Sequence, residues 1–233
     1  GGSMEQINNS HHEAANNANE QVETTKKTTK NKKLMLAVIA AAVAIAMIIT
    51  AFLIIEWNSP QCVAIRYLKG VTGETSCREA FNLSPGGKNE FLRYRYGCKN
   101  DNELLEQLNK EFSEKFLSLN DYYKFIDKRI RKDFEDMFGT YAVSMKAIDI
   151  KDTSIKSLQL KRLYGADRLR LRIEELLDGL NIDEEEITAC KEVNIEFVVT
   201  GEKETYRGNI HVYVAKIKGA WKGMVLGHNS TLE

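Results

Sequence analysis

Residues 34–55 form an unbroken run with no charge, no proline and no glycine, bounded by Lys33 and Glu56. As a helix rising 1.5 Å per residue the run is about 33 Å long, enough to cross a hydrocarbon core of roughly 30 Å. A core helix of a soluble domain carries a polar stripe, and here Thr50 is the only polar side chain. A cleavable signal peptide has an apolar core of about 7–15 residues behind a short basic start. Here the apolar run is longer, and the whole stretch from Gly1 to Lys33 precedes it. The run therefore predicts a retained, single-pass transmembrane helix that divides the chain into a tail (1–33) and a domain (56–233).

Lysine sets the expected orientation. Lys26, Lys27, Lys30, Lys32 and Lys33 crowd the N-terminal flank, while only Arg66 and Lys69 fall in the first stretch beyond the span, 56–70. The bias of Lys and Arg toward the cytoplasmic side predicts a cytoplasmic N-terminus and an extracytoplasmic domain at the cell membrane. Trp57 suits the outer interface, where an indole lies partly in lipid and still hydrogen-bonds. Ala37/Ala41 and Ala40/Ala44 have small-xxx-small spacing, which lets two helices approach closely. In so alanine-rich a span that spacing is expected by chance.

The stretch beyond the span, 56–233, is a normal size for one domain with its own core. The chain carries 33 Lys and Arg against 33 Asp and Glu, and the near balance holds within 56–233. No large field of one sign therefore argues for nucleic acid. The expected partners are the membrane and either a second copy or another envelope protein. The tail is rich in Asn, Thr, Glu and Lys. It cannot bury enough surface to offset its ordering entropy and is expected to be disordered. Gly1-Gly2-Ser3 ahead of Met4 reads as an expression scar.

All four cysteines, Cys62, Cys77, Cys98 and Cys190, follow the span. In an oxidising compartment they allow two disulfides in three connectivities. Cys77 and Cys98 flank a glycine-containing loop and are the preferred pair; buried thiols serving as apolar filler are the alternative. No C-x-x-C is present, so neither a zinc ribbon nor a redox motif is supported.

Within the domain, Ser59 is a candidate N-cap and Pro60 fits the first helical position of an opening helix that Gly70 ends. Only the stretch 56–59 separates this helix from the span, so the domain is expected to sit against the membrane without a stalk. Ser76-Cys77-Arg78-Glu79 has capping-box spacing for a second short helix, and Pro85-Gly86-Gly87 breaks the chain. Leu104, Leu105, Leu108, Phe112 and Phe116 predict a helix over 101–119 capped by Asp101. Tyr122, Phe125, Ile126, Ile130, Phe134 and Met137 predict another over 121–138, stopped by Gly139. From Tyr141 the period falls to two, as in a half-buried strand. A helix is expected over 157–180. Then Val193, Ile195, Phe197 and Val199 alternate with polar residues, as do Tyr206, Gly208, Ile210, Val212 and Val214. Gly201-Glu202-Lys203 joins these two strands, and Lys218-Gly219 turns into a last one over 220–226.

This order predicts an α+β domain: helices packed on one face of a curved antiparallel sheet. The segment Ser59-Pro60-Gln61-Cys62-Val63-Ala64-Ile65-Arg66-Tyr67-Leu68-Lys69-Gly70 resembles the first helix of the nuclear-transport-factor-two-like, or cystatin-like, family. Val212-Tyr213-Val214-Ala215-Lys216-Ile217-Lys218-Gly219-Ala220-Trp221 is similar to its closing hairpin. The resemblance covers roughly residues 60–227 and implies a cone of helices and curved sheet. Similar domains occur behind single N-terminal spans in bacteria of low genomic GC content. The stretch 100–139 holds more helix than the smallest members need, so pocket geometry does not transfer. A short tail, one span and one such domain also resemble, in layout alone, the bitopic scaffold subunit of type IV secretion and conjugation machines.

Ketosteroid isomerases of that family work with a carboxylate base and acidic hydrogen-bond donors inside the cone. Here the polar sheet face offers Glu192, Glu196, Arg207, His211 and Tyr213, of which Glu196, Arg207, His211 and Tyr213 are the candidate ligand face. Their alternation with apolar neighbours is explained most simply by solvent exposure. No G-x-S-x-G, P-loop, dinucleotide fingerprint or metal-ligand spacing is present, so no catalytic, cofactor or metal residue is assigned. Arg93-Tyr94-Arg95-Tyr96 interleaves cations and aromatics as a nucleic-acid or glycan contact would, but is read as an edge strand or loop. Asp183 to Glu186 reads as a solvated acidic turn. The expected function is a membrane-anchored, non-catalytic binding or assembly module. Its alternatives are a secretion-complex scaffold and an enzyme using a cone-shaped cavity.

Overall fold

The computed structural model describes residues 35, 39–51, 53–87, 89–159, 162–164 and 170–228. The chain divides into two units, Gly1–Ile55 and Glu56–Glu233. The tail, its lysines and the paired-alanine position Ala37 lie outside the described residues. Among those described, one helix, α1 (Ile39–Trp57), is long and apolar enough to cross a membrane. Apolar side chains such as Met47, Ile48 and Ile55 are exposed along it.

The second unit is an α+β domain. Helix α2 (Pro60–Val71) starts where expected: Ser59 Oγ accepts from Cys62 N at 3.2 Å, and Pro60 occupies the first helical position. It does not stop at Gly70. That residue lies inside the helix, where a Cβ would come within 2.8 Å of Ala80 Cβ, so glycine there lets α2 and α3 (Cys77–Leu83) touch. Ser76 caps α3 through Arg78 N. Glu79 does not close the box; it turns to Arg66, with Oε1 2.7 Å from Nε. Instead Asp127 Oδ1 accepts from Cys77 N at 2.7 Å. An orphan donor of α3 is thereby satisfied from another helix.

Helix α4 (Glu90–Tyr96) contains the segment expected as strand or loop, and Gly97 ends it at φ 65°. Helix α5 (Asp101–Phe112) is capped by Asn100, whose Oδ1 accepts from Asn102 N and Glu103 N, rather than by Asp101. It ends well short of residue 119, at Ser113 in the left-handed region. Phe116 is nonetheless buried, because Asn109 holds the loop through Phe116 N (2.7 Å) and Phe116 O (3.2 Å). Helix α6 (Leu119–Phe138) is capped by Ser118 and stops at Gly139.

Strands β1 (Tyr141–Thr153), β4 (Ile187–Gly201), β5 (Thr205–Ile217) and β6 (Ala220–His228) form an open antiparallel sheet in the order β1-β4-β5-β6. The helix expected over 157–180 is not formed. That stretch holds α7 (Ile155–Gln159), a separate two-stranded ladder of β2 (Arg162–Tyr164) and β3 (Arg170–Arg172), and α8 (Ile173–Gly179). A 3-10 turn (Glu184–Glu186) leads into β4.

Two cores hold the domain. In one, Val63, Ala64, Tyr67 and Leu68 of α2 pack with Val193, Ile195, Phe197 and Val199 of β4 and Val212 and Val214 of β5. In the other, helical residues such as Leu92, Leu104, Leu108, Tyr122 and Leu176 pack with Cys190, Tyr213, Ala215, Ile217 and Met224. Successive strand residues point to opposite faces. The C-terminal part of β5, from Val212 onward, is therefore buried on both faces. Helices on a single face of the sheet do not describe the domain.

Candidate functional site

The expected ligand face is only partly assembled. Across β4 and β5 the register sets Val198 opposite Arg207, Glu196 opposite Asn209, Asn194 opposite His211 and Glu192 opposite Tyr213. Diagonal neighbours then pair. His211 Nδ1 lies 2.7 Å from Glu192 Oε1, half-buried, and Arg207 Nη1 lies 3.7 Å from Glu196 Oε1 at the surface. An exposed pair of the second kind contributes about 0–1 kcal/mol. Tyr213 leaves the group: it is 6% exposed, within the second core. An imidazole oriented by a carboxylate is half of a general-base arrangement, which also requires a substrate site within reach of the other ring nitrogen.

The cysteines are four free thiols, so the preferred Cys77–Cys98 bond is not made here. The Cys77 thiol faces Tyr123 O at 3.6 Å, and the Cys98 thiol faces Tyr96 O at 3.5 Å. Burial, then the neighbouring Asp127, pushes the Cys77 thiol far up. That keeps it a thiol rather than a nucleophilic thiolate. Cys190 is pushed up to about 11 by burial alone. Both behave as small apolar residues.

The basic-aromatic segment is structural. Tyr94 donates to Glu175 O at 2.7 Å, tying α4 to α8, and Arg93 pairs with Asp101 at 3.0 Å. Arg95 is half-buried beside Tyr96 and Tyr122, where burial lowers its pKa. The acidic turn is engaged too, with Lys218 Nζ 3.2 Å from Glu186 Oε1. Among the described residues no group of three His, Cys, Asp or Glu side chains is placed to hold a metal ion.

Concave surface lies elsewhere, along α6. Lys124, Asp127, Lys128, Arg131, Lys132, Glu135 and Asp136 line an open trough of about 710 Å³. Arg131 and Glu135 are shared with a hollow of about 550 Å³ whose other walls are Gly73, Glu74, Gly139, Thr140 and Tyr141. Arg131 Nε donates to Gly73 O at 3.4 Å, fixing the guanidinium between the two. The Tyr141 phenol is pushed up by burial first, then by the charges of Glu74 and Glu135, with Arg131 opposing them. The hollow sets two carboxylates, Glu74 and Glu135, beside Arg131, and the trough mixes four cations with three carboxylates. Periodicity in α6 points only to its apolar stripe. The signal for its polar face is the charge order, basic from 124 to 132 and acidic from 133 to 136.

Comparison with protein-family models, with curated proteins and with solved structures found no match to this chain.

Proposed function

We propose that the protein is a membrane-anchored binding or assembly module, its α+β domain held on the extracytoplasmic side by a single span. The observation that carries the reading is α1, an exposed apolar helix of membrane-crossing length. Asn58 and Ser59 alone separate it in sequence from α2. The lysine cluster before the span supports a cytoplasmic N-terminus. The combination of α2, a following set of helices and a four-stranded antiparallel sheet is compatible with a nuclear-transport-factor-two-like domain. Where a cone-shaped enzyme of that kind would keep an inward carboxylate, this sheet face is packed with valine, isoleucine and phenylalanine under α2. Its conspicuous polar feature is an open surface trough, which suits contact with a macromolecule better than enclosure of a small substrate.

Photo-crosslinking from the trough in native membranes tests the reading. With a photoreactive residue at Lys128, the expected result is a discrete adduct of at least twice the protein's mass. Recovery of the monomer alone, in membranes from which alkaline carbonate does not extract it, would overturn the assembly role.

A further inference from the structure

Strand β1 ends the sheet, and the first half of its free edge is open. In the order β1-β4-β5-β6 it pairs with β4 alone. Glu202 N donates to Thr140 O at 3.0 Å, and bonding alternates residue by residue along an antiparallel ladder. Ala142, Ser144 and Lys146 therefore turn their N–H and C=O groups to β4, while Tyr141, Val143, Met145 and Ala147 turn theirs outward. Among the described residues no partner bonds those outward groups. Past the irregularity between Ala147 and Asp149 the edge is guarded. There Ile150 N donates to Asp149 Oδ1 at 2.9 Å, and Lys151 Nζ lies 3.2 Å from Asp149 Oδ2. Proteins block free edges with bulges, charges or proline. Before the irregularity, residues 141–147 carry one charge, Lys146, and no proline. The side chains of the four outward residues are half-buried at the margin of the core under α2, while Ala142 and Ser144, on the other side of the strand, are small and exposed.

We propose that this edge pairs with the same edge of a second copy, antiparallel about a two-fold axis at Ser144. Outward N–H and C=O groups on alternate residues call for another strand. An isologous contact must also be self-complementary, and residues 141–147 fit their own reverse. With Ser144 on the axis, Tyr141 stands opposite Ala147 on the core side, bulk against a small residue, and Val143 opposite Met145. On the other side Ala142 stands opposite Lys146 and Ser144 opposite Ser144, so no like charges face each other. Each facing pair of outward residues then exchanges two hydrogen bonds, and every outward group from Tyr141 to Ala147 is used. An axis at Val143 would set Ala147 against Gly139, and one at Met145 would set Tyr141 against the guarded Asp149. Pairing joins the two four-stranded sheets into one and covers the half-buried row at the margin of each core. The contact is short and so belongs with weak interfaces. It uses no residue of the α6 trough and depends on neither the trough nor the anchor.

Cysteine placed on the axis tests the register in the purified full chain, held in mild detergent. Two backgrounds are used: the four native cysteines replaced by alanine, and the native cysteines kept, read against the unsubstituted chain. Opposed residues that do not bond each other have Cα atoms about 4.5 Å apart, within disulfide reach. Under copper-catalysed air oxidation Ser144→Cys should form a covalent dimer about tenfold faster than Ala142→Cys or Lys146→Cys alone. The symmetry mates of those two positions stand about 14 Å apart. An equimolar mixture of Ala142→Cys and Lys146→Cys should cross-link, since each position stands opposite the other. Adding Val143→Pro, which removes an outward N–H and spares the bonds to β4, should slow the Ser144→Cys dimer about tenfold. Equal rates at all three positions would overturn the proposal, because collision without a register gives the same result. So would a Ser144→Cys chain that stays monomeric in both backgrounds. A disulfide from Ser144→Cys to another protein in native membranes, with no homodimer, would give the edge to a different strand and overturn it too. None of these outcomes bears on which side of a membrane the domain occupies, so the anchor reading stands or falls separately.

Discussion

The seating of α2 on the sheet turns on one contact, and it can be broken from either side. Tyr67 is 9% exposed, and its ring lies on Gly223 of β6. A Cβ at residue 223 would overlap Tyr67 Cγ and Cδ2, closer than any real pair of carbons comes. The backbone at Gly223 does not have a positive φ, so alanine is permitted there and only the ring forbids it. Gly223→Ala should therefore act as overpacking and cost about 1–3 kcal/mol. For a unit of this size that is about 2–12 °C in Tm. Tyr67→Ala removes the ring and leaves a cavity, costing about 3–5 kcal/mol. With the ring gone, Gly223→Ala has nothing to strike and should be neutral to within about 0.5 kcal/mol, giving a coupling of about 1–3 kcal/mol. Urea denaturation of residues 56–233, for the wild type, both single variants and the double variant, measures this. Equal costs of Gly223→Ala in both backgrounds would refute the steric argument and the seating of α2 with it.

Three further outcomes follow from single groups. Asp127 of α6 caps α3 through Cys77 N. Asp127→Ala should therefore cost about 1 kcal/mol in urea denaturation, and Asp127→Asn should recover most of it. Stability should fall with alkali: Cys190 is raised to about 11, and Tyr67 and Tyr123 to about 12. A folded value above the unfolded one leaves stability intact below about pH 8.5, the ordinary thiol value, and removes it as pH climbs through the folded values. Cys190→Ala should flatten the early part of that loss; a profile that rises with alkali would contradict the assignment. Under denaturing, non-reducing conditions a thiol reagent should titrate all four cysteines, and a count of two would mean that one bridge is present.

Much of this fold was legible because long elements carry a strong period. The buried row Val193, Ile195, Phe197 and Val199, the apolar stripe of α6 from Tyr122 to Phe134 and the glycine stop at residue 139 follow directly from spacing, whereas Met137, expected in that stripe, is exposed. Other features were decided by tertiary contact. Gly70 reads as a stop, yet the close approach of Ala80 makes it a packing residue inside α2. Leu169, Ile173 and Leu176 sit at helical spacing, but Arg162–Tyr164 and Arg170–Arg172 pair as strands, and Gly165 between them is the sequence sign against a continuous helix. Alternation assigns Tyr213 to a polar face. The unbroken apolar run from Val212 to Ala215 marks instead a strand buried on both sides, and the structure follows the run. For the candidate site, Glu192 with His211 and Glu196 with Arg207 were visible as one face, though their diagonal pairing needed the register. The hollow beside α6 was not visible, because Gly73 and Glu74 reach it from the turn after α2, far away in sequence.

Sidedness is the central claim and has a direct measurement. Ser10→Cys in the tail and Lys115→Cys in the loop after α5 are placed singly in a chain whose four native cysteines are alanine. Intact cells are then exposed to a membrane-impermeant maleimide. The anchor reading predicts labelling of Lys115→Cys in intact cells and of Ser10→Cys only after lysis. Labelling of Ser10→Cys alone in intact cells, or of both positions only after lysis, would contradict it.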